Sequence, residues 1–391
     1  MNSVKKIFKE HTMQIILVLV VIFFAITTRN KGSILSPANF NALIAQNAYV
    51  YVLATGMMMC MLIKGNIDLS VGAVVCFIDA IGAQLMVNKG VSIPVAMLAM
   101  LVVGLLIGAF MGFLIAYVNV PPWIATLAGF LAFRGWGTAI LNGLTIGIGN
   151  AEYAGFTNLF NGYIPDFFGV QGFNATSLVI GIIACIILFV TQLRDRATKI
   201  SKGYEADSMA SVLIRCVIIS AVIILFTVKL AQNKGIPFVL VWVAVIALIY
   251  NFITSKTTLG RYFYVTGGNM EATRLSGIDT RKVLFFAYLN MQFLTVIASW
   301  ITMARLTAAN PTAGTNFELD AISGCIVGGV SAYGGSGSIF GMIVGATLIG
   351  VINLGMSIMG IDANWQKIVK GLVLLAAVVF EIVNNRDKTK A

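Results

Sequence analysis

Apolar stretches recur along the whole chain, separated by a few polar or glycine-rich positions. A helix rises about 1.5 Å per residue, so about 17–25 apolar residues cover the ~30 Å hydrocarbon core of a bilayer. The pattern predicts spans near 13–26, 42–63, 69–87, 93–118, 123–141, 177–193, 212–230, 236–254, 284–305, 338–359 and 365–383. A shorter glycine-rich segment, 321–333, predicts a re-entrant or broken helix held by its neighbours rather than exposed to lipid. No tract shows the ten-residue alternation of a membrane barrel. The expected fold is therefore all-α and polytopic, with about ten to twelve transmembrane or re-entrant helices in one unit over 1–391.

Composition agrees: 59% of the residues are hydrophobic and only 10% charged, with a mean hydropathy of +0.92. Lys5, Lys6 and Lys9 precede the first tract, and no small-x-small cleavage site precedes Arg29, so that tract reads as a retained span. Short loops rich in Lys and Arg stay in the cytoplasm. Alternate crossings collect Arg194, Arg196, Lys199 and Lys202, then Lys256, Arg261, Arg274, Arg281 and Lys282, then Arg386, Lys388 and Lys390, on one side. Loops 194–211 and 255–283 are thus expected to be cytoplasmic, with both termini, while 142–176, which has no Lys or Arg, is expected outside. The +11 net charge needs no nucleic acid to explain it; it is chiefly a topology signal, with a minor contribution from attraction to membrane lipid. Cys60, Cys76, Cys185, Cys216 and Cys325 lie in apolar tracts without CxxC spacing, which points to packing and to no metal.

"IKGNIDLSVG", residues 63–72, interrupts an apolar tract. Gly65 suits a left-handed helix end and Asp68 a cap on the next helix. Either this is a tight cytoplasmic turn, or it is a broken helix that presents Asn66, Asp68 and Ser70 to a pathway. Other polar residues at membrane depth are Asn47, Asp79, Gln84, Arg134, Asn290, Gln292 and Asn353. Charges there are expensive, so Asp79 and Arg134 are expected to form an ion pair. Asn290, Gln292 and Asn353 suit hydrogen bonds to solute hydroxyls and equally to neighbouring helices. Gly104, Gly108 and Gly112, like Gly341 and Gly345, allow close helix contact, and each set is followed by a helix opening near Trp123 or Trp365. A duplication with copies running in opposite directions, an inverted repeat, is therefore expected.

Within 257–288, Asn269 is an N-cap, Glu271 favours the first turn, Arg274 lies one turn on, and Gly277 suits the stop. Such a short helix needs a docking surface to be stable, which argues for a partner; Asp279 caps the helix that follows. No G-x-x-x-x-G-K-[ST] occurs, so the chain has no phosphate-cradling loop of its own. The sole histidine, His11, precedes the first span, which excludes His-based metal sites and Ser-His-Asp triads. Two other classes stay open on these residues: an ion-coupled secondary transporter using Asp79, and a membrane enzyme using Asp68 or Asp79.

"GNIDLSVGA", "PPWIATLAGFLAFRG", "TLGRYFYVTGGNMEATRLSGI" and "ELDAISGCIVGGVSAYGGSGSIFGMIVGA" occur in that order between about residues 40 and 383. Together they resemble the motifs of permease (transmembrane) subunits of bacterial ABC importers for monosaccharides, the ribose, galactose and xylose group. The additional spans near 177–193 and 212–230 resemble the xylose and multiple-monosaccharide permeases more than the shorter ribose type. The resemblance implies a multi-pass protein of the bacterial cytoplasmic (inner) membrane, paired with a second permease copy in a homodimer. It also implies an ATP-binding subunit that carries ATP and Mg, with no cofactor in this chain, and a soluble extracytoplasmic sugar-binding protein. Asn66, Asp68, Ser70, Asn290, Gln292 and Asn353 would then border the substrate pathway. Asn269, Glu271, Arg274, Leu275, Ser276 and Gly277 would be the element coupled to the ATPase, which drives alternating access with no catalytic residue here.

Overall fold

The computed structural model describes residues 12–389, so the N-terminal lysines and His11 lie outside the described residues. Its labelled helices are α1 (Thr12–Thr27), α2 (Pro37–Met61), α3 (Val71–Ala83), α4 (Ile93–Ala116), α5 (Pro122–Ile140) and α6 (Ala154–Asn161). They continue with α7 (Ala175–Ser201), α8 (Met209–Ala231), α9 (Phe238–Lys256), α10 (Thr258–Gly268) and α11 (Met270–Leu275). The last are α12 (Thr280–Leu306), α13 (Phe317–Val327), α14 (Ile339–Ile358) and α15 (Ala363–Thr389). A π-helical turn, Gln84–Asn88, extends α3. Two-residue strands β1 (Ile146–Gly147) and β2 (Ala308–Ala309) pair antiparallel and tie the loop after α5 to the end of α12.

Among the described residues, eight helices are long and apolar enough to cross a membrane: α2, α3 with its π turn, α4, α7, α8, α9, α12 and α14. The expected spans at 13–26 and 321–333 are helices of 16 and 11 residues. Those at 123–141 and 365–383 are longer helices whose polar positions, Arg134 and Lys367 with Lys370, sit among apolar ones. The loop at 142–176 holds α6, whose Phe156 and Phe160 are buried, and 255–283 holds α10 before the short helix; the sequence pattern missed both elements.

Helices α2 and α12 form the centre. Gly56 lies against Met291, and the Cys60 thiol donates to the Ala287 carbonyl, so the two run antiparallel. Helix α4 packs on α12 through its glycines: a Cβ at Gly108 would sit 3.0 Å from Leu289 Cα, and one at Gly112 2.9 Å from the Phe285 carbonyl. Helix α14 packs on α13 the same way, with Gly341 and Gly345 against Gly328 and Gly324. Both glycine sets are close-packing devices, as their spacing indicates. Helices α7, α8 and α9 bury only 17%, 11% and 22% of their most apolar stretches, so they form a periphery rather than a core. All five cysteines are free thiols, four of them buried.

The expected Asp79–Arg134 ion pair does not form. Asp79 Oδ1 accepts from Ser299 Oγ at 2.6 Å. The Arg134 guanidinium instead donates to the Pro311 and Ala313 carbonyls at 3.1 and 2.5 Å. The loop from β2 to α13 folds inward and leaves its carbonyls without a helical partner, and these claim the cation first.

Candidate functional site

The break after α2 is a fold-back rather than a simple surface turn. Helix α2 stops where Lys64 and Gly65 adopt left-handed φ of 54° and 67°. The chain then returns extended, and the Asp68 amide reaches Met57 Sδ at 3.5 Å, one turn back along α2. The expected role of Asp68 as a helix cap is corrected: Ser70 holds the position before α3 and makes no capping bond. The Asp68 carboxylate instead takes the Ser70 backbone N–H at 2.8 Å and its hydroxyl at 2.6 Å through Oδ1. On Oδ2 it takes the Gln292 amide of α12 at 2.8 Å, and that amide also lies 3.3 Å from Ser70 Oγ. Asp68, Ser70 and Gln292 are all fully buried. A carboxylate in an apolar interior needs such donors, and this one is held by three.

Helix α13 starts in the interior as well. The Gly314 and Gly72 backbones touch, so the beginnings of α3 and α13 meet. Tyr49 of α2 stacks on Phe317 with ring centroids 3.5 Å apart, and its hydroxyl donates to Asp320 at 2.7 Å. Farther along, the Cys325 thiol reaches the Ala54 carbonyl at 3.1 Å, so α13 runs parallel to α2. The bonds from α12 to Asp68 and Asp79 make α3 parallel to α12. Since α2 and α12 are antiparallel, α3 and α13 leave their meeting point in opposite directions. Two helix N-termini thus face each other inside the protein, with Asp68 near the start of one and Glu318 and Asp320 in the first turn of the other, where helix dipoles favour acidic side chains. Lys370 of α15 pairs with Asp320 at 2.8 Å.

At the C-terminal end of α2, the fold-back, the end of α10 and the loop between α13 and α14 interlock backbone to backbone. The Gly335 amide donates to the Leu62 carbonyl at 2.9 Å, and Gly267 is seated so closely on that carbonyl that a Cβ would collide with it. Gly65 is equally close to the Ala332 carbonyl, and the Tyr264 hydroxyl holds the Gly337 carbonyl at 2.9 Å. The fold-back therefore touches both α10 and the loop between α13 and α14. No sequence period marks this junction; the Gly-Gly pairs at 267–268 and 334–335 were its trace.

Helix α11 follows directly. The Asn269 side chain accepts the Ala272 N–H at 3.0 Å, and Gly277 ends the element at φ 85°. Glu271 and Arg274 pair at 3.3 Å on its outer face, each 67% exposed, and Leu275 is 79% exposed. Ser276 donates back to the Ala272 carbonyl. Asp279 accepts the Arg281 and Lys282 backbone N–H groups at 3.1 and 3.2 Å, and the Lys282 N–H foremost holds its carboxyl below the ordinary range.

The other pathway candidates are dispersed. Asn66 is half-buried in the fold-back. Asn290 accepts from the Tyr250 hydroxyl of α9 and borders an open groove of about 440 Å³ lined by Met59, Phe263 and Phe293. Asn353 Oδ1 is buried on α14 with no partner among the described residues. Of the six, the structure brings together Asp68, Ser70 and Gln292.

A multi-pass helical membrane protein with two interior helix starts and one exposed, capped helix on a loop defines a transport permease architecture rather than an enzyme site. The chain belongs to the family described as "Branched-chain amino acid transport system / permease component", whose model matches residues 39–378. It is 35% identical over 377 residues to the xylose transport system permease protein XylH of Haemophilus influenzae, covering 96% of each chain. To the protein of the same name from Escherichia coli it is 34% identical over 371 residues, covering 95% of this chain and 91% of the relative. The ribose import permease protein RbsC of Escherichia coli is 30% identical over 366 residues, 93% of this chain and 92% of its own. No solved structure matches. The ion-coupled alternative finds no support: the relatives are permeases of transport systems, and Asp79 is bonded to Ser299.

Proposed function

We propose that the chain is the pathway-forming permease subunit of an ATP-driven importer of a monosaccharide, of the kind carried by xylose and ribose systems. ATP hydrolysis belongs to a separate ATP-binding subunit, and an extracytoplasmic sugar-binding protein delivers the substrate. The observation that carries this reading is the coupling end: exposed α11 follows Gly267, which sits on Leu62 at the foot of the broken helix. A push on α11 is thereby applied directly to the α2–α3 fold-back. Asp68, Ser70 and Gln292 hold that fold-back against α12, and reorientation of α3 and α13 exposes Asn66 and the neighbouring polar groups to substrate. In this reading the Lys- and Arg-rich loops around α7–α8 and α10–α11 face the cytoplasm, together with both termini, in the inner membrane of a bacterium.

The antiparallel α3 and α13, with α4 and α14 each packed through glycines, support an inverted repeat of α2–α5 and α12–α15. A second copy of the chain completes the pathway. The test is purification in mild detergent from cells that express the whole transport operon, followed by reconstitution. An ATP-binding subunit should copurify, and sugar accumulation should stop when its ATPase is inactivated but survive collapse of the ion gradient. Vesicles with this chain alone that concentrate sugar would overturn the assignment.

A further inference from the structure

A cleft of about 430 Å³ lies where the end of α7, the start of α8 and the end of α9 meet, at the same end of the molecule as α10 and α11. Nothing in the transport reading uses it. Arg196, Lys199, Lys202, Arg215 and Lys256 line it, opposed by the carboxylates of Asp195 and Asp207. Asp207 is engaged by Arg215 at 3.4 Å, and its backbone carbonyl accepts from Arg196 at 3.1 Å. No acid among the described residues lies within ion-pair distance of Lys199, Lys202 or Lys256. Like charges gathered around a concavity repel one another, and an anion seated there relieves that repulsion. The volume is that of a small-ligand site.

The surroundings say where the anion comes from. The three helices leading to the cleft bury no more than 22% of their apolar stretches, so they offer lipid an apolar surface below it. Ile200 and Ile214, each at least half exposed, alternate with the cations at the same level, and Tyr204 lines the cleft beside them. Apolar side chains, a tyrosine and lysines at one height mark the headgroup layer of a bilayer. We propose that this cleft binds the phosphate headgroup of an anionic phospholipid, with Lys199, Lys202 and Lys256 as its principal contacts. Because Lys256 leads directly into α10, the bound lipid steadies the base of the loop that carries α11.

The test is native mass spectrometry of the full chain in mild detergent, titrated in parallel with phosphatidylglycerol, phosphatidylcholine and glycerol 3-phosphate. Phosphatidylglycerol should bind in preference to phosphatidylcholine. Replacing Lys199, Lys202 and Lys256 together by Gln should weaken its binding by about a hundredfold, at roughly one lipid-bound cation's worth per lysine. Replacing the same three by Arg should preserve it, which separates loss of charge from loss of fold. Equal retention of the two lipids, or unchanged binding in the Gln variant, overturns the proposal. Competition by glycerol 3-phosphate as strong as that of the lipid would assign the cleft to a soluble phosphate and overturn it as a lipid site.

Discussion

Gln292 has the Asp68 carboxylate as the only hydrogen-bond partner, besides Ser70, of its amide among the described residues. Replacing it by Leu keeps the volume in a sealed site but strands one carboxylate oxygen, which costs about 1–3 kcal/mol. Replacing Asp68 by Ala removes the acceptor for three donors at once and should cost more. Because both changes act on one network, they should not add: a double-mutant cycle in a detergent unfolding assay should show a coupling of about 0.5–3 kcal/mol. Simple additivity would mean that the pair does not hold the fold-back. The same residue scale explains why Asp79 and Arg134 were misassigned from the sequence. Opposite charges at similar depth suggested each other, but Ser299 and the inward-folded carbonyls of Pro311 and Ala313 offer nearer hydrogen bonds. Neither partner type carries charge, so hydropathy and spacing could not reveal them.

The helices themselves were largely legible, since a 3.6-residue repeat buried in lipid needs only length and apolarity, and the capped α11 was legible because Asn269 and Gly277 have local conformational reasons to be there. The junction at Leu62 was not, because backbone contacts between segments far apart in the chain leave no periodic mark. Its geometry gives a direct expectation. A Val at Gly267 would place side-chain atoms into the Leu62 carbonyl, so G267V should lower the midpoint of thermal unfolding and abolish uptake. The same change at Gly268, where a Cβ meets nothing, should leave stability within about 0.5 kcal/mol. The start of α12 depends on Asp279. Its folded pKa is lowered, so its contribution is complete above the unfolded aspartate value, near 3.9, and is lost as pH falls through the lower folded value. Protection of the Arg281 and Lys282 amides against hydrogen exchange should therefore fall below about pH 4, and D279N should remove that pH dependence.

Over the whole molecule, the proposed coupling would follow a short series of contacts from solvent to the interior helix starts: α11, then α10 with Gly267, then Leu62 and the fold-back held by Asp68. Each step is chain continuity or a direct contact, so a change at the exposed entry should disconnect transport without disturbing the fold. Glu271, Arg274 and Leu275 suit that test, being 67%, 67% and 79% exposed and remote from the core. Reversing the charges of Glu271 and Arg274 together preserves their mutual pairing but inverts the pattern offered to a docked subunit. Adding Leu275→Asp removes the exposed apolar contact. The triple variant should unfold at the wild-type temperature, because surface substitutions of this kind rarely exceed about 0.5 kcal/mol. In vesicles containing all subunits, sugar uptake should fall at least about tenfold, and the ATP-binding subunit should dissociate more readily. If uptake persisted with the helix so altered, force would have to enter elsewhere, and the junction at Leu62 would be a structural seam rather than a transmission point.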